Sequence, residues 1–165
     1  MRALIVALLA LMGVAHAETK TVAGEKFGAY CGRFDPKHPL TITFRLRREV
    51  IVSGIVIVGR NTKSLDAARA HGRVAAISII TDGDNKQRRD ISDPITRPTE
   101  SLIPGRPFSD DGPDSPELRL IERDAMSLIQ VTTKRVTVVI DRIIPGTRYQ
   151  DVCVGSIELT HPTKR

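Results

Sequence analysis

The chain has 165 residues, with 25 Lys and Arg against 19 Asp and Glu, which gives a formal net charge of +6. This length suits one ordinary domain with a sizeable hydrophobic core and argues against several independent domains. After residue 17, no apolar run is long enough to be a transmembrane helix.

The first 17 residues read as a secretory signal peptide. Arg2 is the positive start, "ALIVALLALMGV" is an apolar run too short to cross a bilayer, and Ala15 to Ala17 form a small-x-small cleavage site. The alternative, a buried N-terminal helix, fits less well because no polar face interrupts the run. We therefore expect an exported protein, periplasmic or secreted, whose mature chain carries 24 basic and 19 acidic residues, a net charge of +5.

The mature chain contains two cysteines, Cys31 and Cys153. An even number of cysteines in an exported protein favours a disulfide, which here joins an N-terminal segment, residues 18–39, to the main domain of residues 40–165. Two buried free thiols are the alternative.

Residues 18–39 contain glycines and prolines that break any regular element. From residue 40 the pattern changes, because "LTITFRLR" alternates apolar and polar residues as a strand does. The next run, "EVIVSGIVIVG", predicts a buried strand in which Gly54 marks a bulge or a close backbone approach.

Further strands follow along the chain. "RVAAISIITDG" predicts a strand that ends in an Asp-Gly turn, and "QRRDISD" a short edge strand guarded by arginines. "SLDAARAHG" is the one helical candidate, of one or two turns. Residues 92–116 hold six of the ten prolines and predict a long irregular connection. "ELRLIER", "SLIQV", "RVTVVIDRII" and the final "DVCVGSIEL" are again typical of strands. The sequence thus predicts an all-β sandwich or barrel.

The C-terminal stretch "RVTVVIDRIIPGTRYQDVCVGSIEL" resembles the end of a discoidin-like domain of the galactose-binding-like superfamily, and is most similar to the NADase-type glycan-binding domain. That family has a strand, a Pro-Gly-Lys/Arg-Tyr-x-Asp turn, a cysteine and a final strand. The matching residues are Pro145, Gly146, Arg148, Tyr149, Asp151 and Cys153. A weaker resemblance lies upstream, at Gly59, Lys63, Ser64 and Arg73.

The resemblance spans roughly residues 40–160 and implies an antiparallel jelly-roll β-sandwich that binds its ligand through loops at one end. It does not imply NAD cleavage, since only the binding-type module is present. Two departures stand out. The family's Asn-Gly-Tyr is Val58-Gly59-Arg60, and its Ser-Glu in the last strand is Gly155-Ser156.

Two groups of side chains are candidates for ligand binding. Arg60, Asn61, Lys63 and Arg73 offer three cations and an amide, which can cradle a phosphate, a carboxylate or a uronic acid. Arg148, Tyr149 and Asp151 offer an aromatic face with hydrogen-bonding neighbours, as sugar sites require. For the first group, the competing interpretation is a solvated loop. For the second group, it is a structural turn in which Tyr149 packs across the end of the sandwich and Asp151 caps the turn or pairs with Arg148 or Arg73.

Metal and catalytic motifs are weak. "TDGDN" (Asp82, Asp84, Asn85) and "SDDGPD" (Asp110, Asp111, Asp114) lack the spacing of a calcium loop, and turns are the simpler interpretation. His38, His71 and His161 are isolated in the sequence, without zinc spacing. No nucleophile elbow or phosphate-binding loop is present, so we expect no enzyme, no cofactor and no metal.

The sequence therefore predicts a non-catalytic exported module that binds a glycan or an anionic cell-envelope polymer. Nucleic acid is not an expected specific partner of an exported protein, although a basic surface binds it non-specifically. The alternative is a protein-interaction or structural subunit of the envelope, which contacts a periplasmic protein and has no sugar ligand. The scarcity of aromatic residues favours this alternative.

Overall fold

The computed structural model describes residues 18–82, 85–91 and 124–162. The expected signal peptide, the Pro-rich connection of residues 92–116 and the strand expected at residues 117–123 lie outside these ranges. Within the described residues, no helix has the length and apolar character needed to cross a bilayer.

Most of the described residues lie in strands, and they contain one short helix, which confirms the all-β prediction. Nine strands form one sheet, with the order β2-β9-β4-β7-β5-β8-β3; β1 pairs with β4 and β6 pairs with β5 at its sides. The elements are β1 (Thr19–Ala23), β2 (Lys26–Phe27), β3 (Tyr30–Arg33), β4 (Thr41–Val58), α1 (Leu65–Ala70), β5 (Gly72–Thr81), β6 (Lys86–Asp90), β7 (Asp124–Ile144), β8 (Asp151–Val154) and β9 (Ser156–Thr160).

The sheet is mixed rather than purely antiparallel. β1 runs parallel to β4, and β5 runs parallel to β8, whereas the remaining pairs are antiparallel. β4 and β7 are long strands that pair along most of their length and form the centre of the sheet. The two strand-like runs that begin at residue 40 are thus one continuous strand, β4, with irregular register.

The alternation at the start of β4 places one face in the core, as predicted. Leu40, Ile42 and Phe44 are fully buried, because successive side chains of a strand point to opposite faces. The prediction for Gly54 is also confirmed. The β4–β7 register shifts between Val52 and Gly54, and a Cβ at Gly54 would lie 2.6 Å from the Met126 carbonyl oxygen.

Residues 18–39 are more regular than expected. The prediction that glycine and proline break every element there was wrong, since β1, β2 and β3 lie in this segment. Gly24, with φ of +114°, and Gly28 lie between these strands and serve as their connections. The strands form because β4, β9 and β8 supply their hydrogen-bond partners, and such distant pairing leaves no local pattern in the sequence.

One end of the sheet collects most of the predicted site residues. There β4 ends at Val58, α1 connects it to the start of β5, and β7 ends where the turn into β8 begins. The turn docks on the helix: the Thr147 amide donates to the Arg69 carbonyl at 2.9 Å, and the Tyr149 amide to the Ala70 carbonyl at 3.0 Å.

Candidate functional site

A disulfide between Cys31 and Cys153 lies at the centre of this end, which confirms the predicted pairing. The two residues face each other directly across the antiparallel β3–β8 pair, although they are 122 positions apart in sequence. Cys31 is exposed on β3, the outermost strand of the sheet path, whereas Cys153 is fully buried. One sulfur-bearing residue thus faces solvent and the other faces the core.

Asn61 lies against the disulfide from the β4–α1 loop. Its Nδ2 is 3.8 Å from the sulfur of Cys31 and 3.8 Å from that of Cys153, and its Oδ1 accepts a hydrogen bond from the Lys63 amide at 3.0 Å. Asn61 is 9% exposed. Its amide is therefore occupied in fixing the loop to the disulfide, which leaves little of it for a ligand.

A pocket of about 240 Å³ opens beside the disulfide. Its lining joins the β4–α1 loop to β3 and to the break between β8 and β9, and includes Tyr30, Cys31, Arg60, Asn61, Thr62, Lys63 and Gly155. Gly155 marks a close approach, because a Cβ there would lie 2.8 Å from Thr62 Cγ2.

The three predicted cations differ in exposure. Arg60 is only 2% exposed, Arg73 is half-buried, and Lys63 is exposed. Within the described residues, the Lys63 ammonium group has no ion-pair partner. The solvated-loop interpretation therefore fits Lys63 but not Arg60, which is part of the packed interior.

Asp151 of the second predicted group lies close to the disulfide, with a carboxylate oxygen within 4.8 Å of both sulfurs. His71 Nδ1 is 2.7 Å from Asp151 Oδ2, and the His71 ring stacks on Tyr149 with a centroid distance of 4.4 Å and an interplanar angle of 20°. Tyr149 is nevertheless 51% exposed, and Arg148 is exposed beside it. The sequence pattern did not indicate His71 as a partner of Asp151 and Tyr149.

The position of His71 follows from the helix. Ser64 caps α1 by accepting a hydrogen bond from the Ala67 amide at 3.1 Å, and the helix ends at His71, directly before β5. Arg73 in β5 pairs with Cys153 in β8, so that the helix end and the disulfide are brought together by the parallel β5–β8 contact. Sequence alone gives no signal for this contact.

Cys31, His71, Asp151 and Cys153, which we call the disulfide cluster, are the tightest group of potential ligands among the described residues. One potential ligand atom from each lies within 4.8 Å of all the others. Asp151 Oδ1 is buried and has no hydrogen-bond partner within the described residues. The carboxylate therefore has one oxygen without a hydrogen bond.

A larger hollow of about 510 Å³ lies along β4, β7 and residues 160–162, and contains no predicted site residue. His161 on its rim is bonded to the Ile51 carbonyl at 2.8 Å and to Glu25 at 3.1 Å. The hydrogen bond to the carbonyl, aided by the Glu25 carboxylate, raises the pKa of His161 above its ordinary value.

The fold and the site define a small all-β protein whose disulfide adjoins a pocket, with a half-exposed tyrosine at the same end of a mixed sheet. No protein family model matches the chain. No curated protein matches it either.

Proposed function

We propose that this chain is an exported, non-catalytic binding module for a glycan or an anionic cell-envelope polymer, built as a discoidin-like jelly-roll sandwich. The observation that supports the proposal is the set of exposed side chains at the end of the sheet around the disulfide. There, Lys63 and Arg148 are exposed without ion-pair partners among the described residues, and Tyr149 keeps an exposed ring.

Tyr149 supplies the stacking surface in this proposal. Its contact with the His71 ring holds the side chain in one orientation, because a stacked ring pair 4.4 Å apart restricts rotation about the side-chain bonds. A ring held in this way loses little conformational entropy when a pyranose packs on its exposed surface. Asp151 acts on the ligand indirectly, by fixing His71.

Lys63 and Arg148 supply the charge. Exposed cations that form no ion pair among the described residues are available to the carboxylate, phosphate or sulfate groups of a polymer. Arg60 and Asn61 line the pocket but are buried, so they are not exposed to a ligand in solvent. The proposed ligand-contacting residues are therefore Lys63, Arg148 and Tyr149, with Arg73 half-buried beside them.

Export is supported by two independent features. The first 17 residues have the pattern of a signal peptide, and disulfides persist mainly in oxidising compartments outside the cytosol. A periplasmic or secreted location places envelope polymers within reach.

The test is a glycan array of neutral and acidic saccharides, followed by calorimetry on residues 18–165 at low and at physiological salt. We expect binding to acidic glycans that persists at physiological salt. We also expect it to weaken about tenfold in Tyr149→Ala and about a hundredfold in the double variant Lys63→Ala/Arg148→Ala, because losses of about 1–2 kcal/mol per anchoring group add over two groups.

Arg47→Ala/Arg48→Ala is the matched control. It removes the same number of positive charges from exposed positions in β4, at least ten residues before the end of that strand. Non-specific attraction to the basic surface would be weakened equally by both double variants and would vanish at physiological salt. Either result, or no binding to any saccharide, would overturn the proposal.

The sequence alternative, a protein-interaction subunit of the envelope, is favoured by two large apolar side chains left exposed, Ile51 at 47% and Ile144 at 41%. Its test is a pull-down from envelope extract with the native chain and Ile144→Ser. A stoichiometric protein partner that is lost in the variant and unaffected by free sugars would favour this function over glycan binding.

A further inference from the structure

We propose that reduction of the Cys31–Cys153 disulfide converts the disulfide cluster into a tetrahedral site for a divalent metal ion of the zinc class. The ligands are the two thiolates, the His71 imidazole and the Asp151 carboxylate. Ligand sets of sulfur, imidazole and carboxylate are those that Zn²⁺ prefers, and the number four matches its coordination.

The geometry is close to what such a site needs. The four ligand atoms already lie within 4.8 Å of one another, and bonds of about 2.0–2.3 Å from one central ion require ligand separations of roughly 3.3–3.8 Å. Opening the S–S bond allows the sulfurs to separate, and a small approach of the His71 and Asp151 side chains completes the tetrahedron. All four residues are held by the sheet or by the end of α1.

Asp151 gives a second, independent indication. Its Oδ1 is buried without a hydrogen-bond partner in the described chain, although a buried carboxylate oxygen ordinarily finds a donor. Such an unsatisfied oxygen, on a residue of the disulfide cluster, is an available ligand. A bound cation would remove the cost of leaving it without a partner.

Exposure of Cys31 makes the reduction feasible. A dithiol attacks the sulfur of Cys31 on the outer strand, and the Cys153 thiolate leaves into the cluster. The second thiol of the reductant then displaces Cys31 and closes its own disulfide. The dithiol thus loses two electrons and two protons, which the two cysteines gain, and the metal ion later displaces the two thiol protons. The oxidised protein has no thiolate and therefore no site.

The experiment uses residues 18–165, reduced with a dithiol, freed of the reductant by anaerobic gel filtration and titrated with Co²⁺. We expect one Co²⁺ per chain, with thiolate-to-cobalt charge-transfer and tetrahedral d–d absorption, both lost when Zn²⁺ is added. The oxidised protein should show neither band. Zn²⁺ should also raise the reduced fraction at a fixed ratio of dithiol to disulfide, because it binds only the reduced form.

Three variants, all of which retain both cysteines, distinguish the proposed site from a simple pair of thiols. His71→Ala and Asp151→Asn should weaken Co²⁺ binding at least about tenfold, since even outer groups of metal sites contribute that much. His38→Ala is the matched control, because His38 belongs to another His–Asp pair, with Asp35 at 2.9 Å, and should leave binding unchanged.

Equal affinity in His71→Ala, Asp151→Asn and the native chain would overturn the proposal, because the two cysteines alone would then hold the metal. Absence of the charge-transfer band from reduced native protein would also overturn it. If reduction unfolds the chain, circular dichroism tests the site instead. Zn²⁺ should restore the native spectrum in the native chain and in His38→Ala but not in His71→Ala. A native chain that Zn²⁺ fails to refold would count against the site.

Discussion

Cys31 on β3 lies directly opposite Cys153 on β8, and the bond between their sulfurs joins two residues that are 122 positions apart. β3 has only four residues and is the outermost strand of the sheet path. Its four paired positions with β8 are a small contact for a strand at an edge. The disulfide therefore fixes both the edge of the sheet and the end that carries the candidate site.

Removing the disulfide should lower the free energy of unfolding substantially. For Cys31→Ser/Cys153→Ser we expect a loss of about 2–5 kcal/mol, because the bond closes a long loop and restricts the unfolded chain. Urea unfolding of the variant and of the native chain measures the difference. The reduced native chain, without added metal, should unfold at nearly the same urea concentration as the variant. An unchanged midpoint in both would contradict this role.

Gly146 is expected to be irreplaceable in the turn before β8. A Cβ at this position would lie 2.2 Å from the Ala70 carbonyl oxygen, which itself accepts the Arg148 and Tyr149 amides. Gly146→Ala should therefore displace the turn and destabilise the protein by about 1–3 kcal/mol. Its His71–Tyr149 contact should loosen as well, which NMR chemical shifts of the two rings would report.

Gly28→Ala is the control for this substitution. A Cβ at Gly28 meets no atom within 4 Å, so the variant should be neutral or slightly more stable, by up to about 1 kcal/mol. Comparable destabilisation of the two variants in thermal unfolding would show that steric contact at Gly146 is not the cause.

Local patterns predicted the strands that carry the core. The alternation from Leu40 to Leu46 and the β-branched run around Gly54 are visible in the sequence. Side chains along a strand alternate between two faces, so the burial of each residue leaves a local pattern. The short helix was likewise predicted, within the stretch "SLDAARAHG". β1 to β3 were missed because their stability comes from distant partner strands.

Several residues of the candidate site were predicted from the sequence, but His71 and the contacts between the residues were not. The resemblance and the cationic loop indicated Lys63, Arg148 and Tyr149, and cysteine counting indicated the disulfide. The contact of His71 with Asp151, 80 positions later, depends on the parallel pairing of β5 with β8. Because parallel neighbours here come from distant parts of the chain, no spacing in the sequence indicates this pair.

Asp82 is expected to stabilise the junction between β5 and β7 at neutral pH. Its Oδ2 accepts hydrogen bonds from the Thr133 hydroxyl at 2.9 Å and from the Lys134 and Arg135 amides at 3.0 Å each. The Thr133 bond, followed by the two amides, holds the pKa of Asp82 below its ordinary value. The ionised carboxylate is therefore favoured in the folded state, and its contribution is lost as the pH falls through the folded pKa.

Asp82→Asn should lower the free energy of unfolding at pH 7 by about 1 kcal/mol or less, a modest figure because the side chain is well exposed to solvent. The difference between native and variant should shrink as the pH falls below about 4. Chemical unfolding at pH 7 and at pH 3 measures it. A difference that is the same at both pH values would mean that the charge of Asp82 does not contribute.

His161 should make stability fall as the pH rises above neutrality. The Ile51 carbonyl and then the Glu25 carboxylate raise its pKa in the folded state, so the folded chain holds the proton more tightly than the unfolded chain. This contribution is fully present below the unfolded pKa of about 6.5 and is lost as the pH rises through the folded value.

Unfolding of the native chain and of His161→Gln, compared at pH 6 and pH 8, isolates the effect: the native chain should lose its advantage over the variant at the higher pH. Glu25→Gln should retain only part of the dependence, because the carbonyl contact remains. A difference between native and His161→Gln that is constant from pH 6 to pH 8 would refute the link.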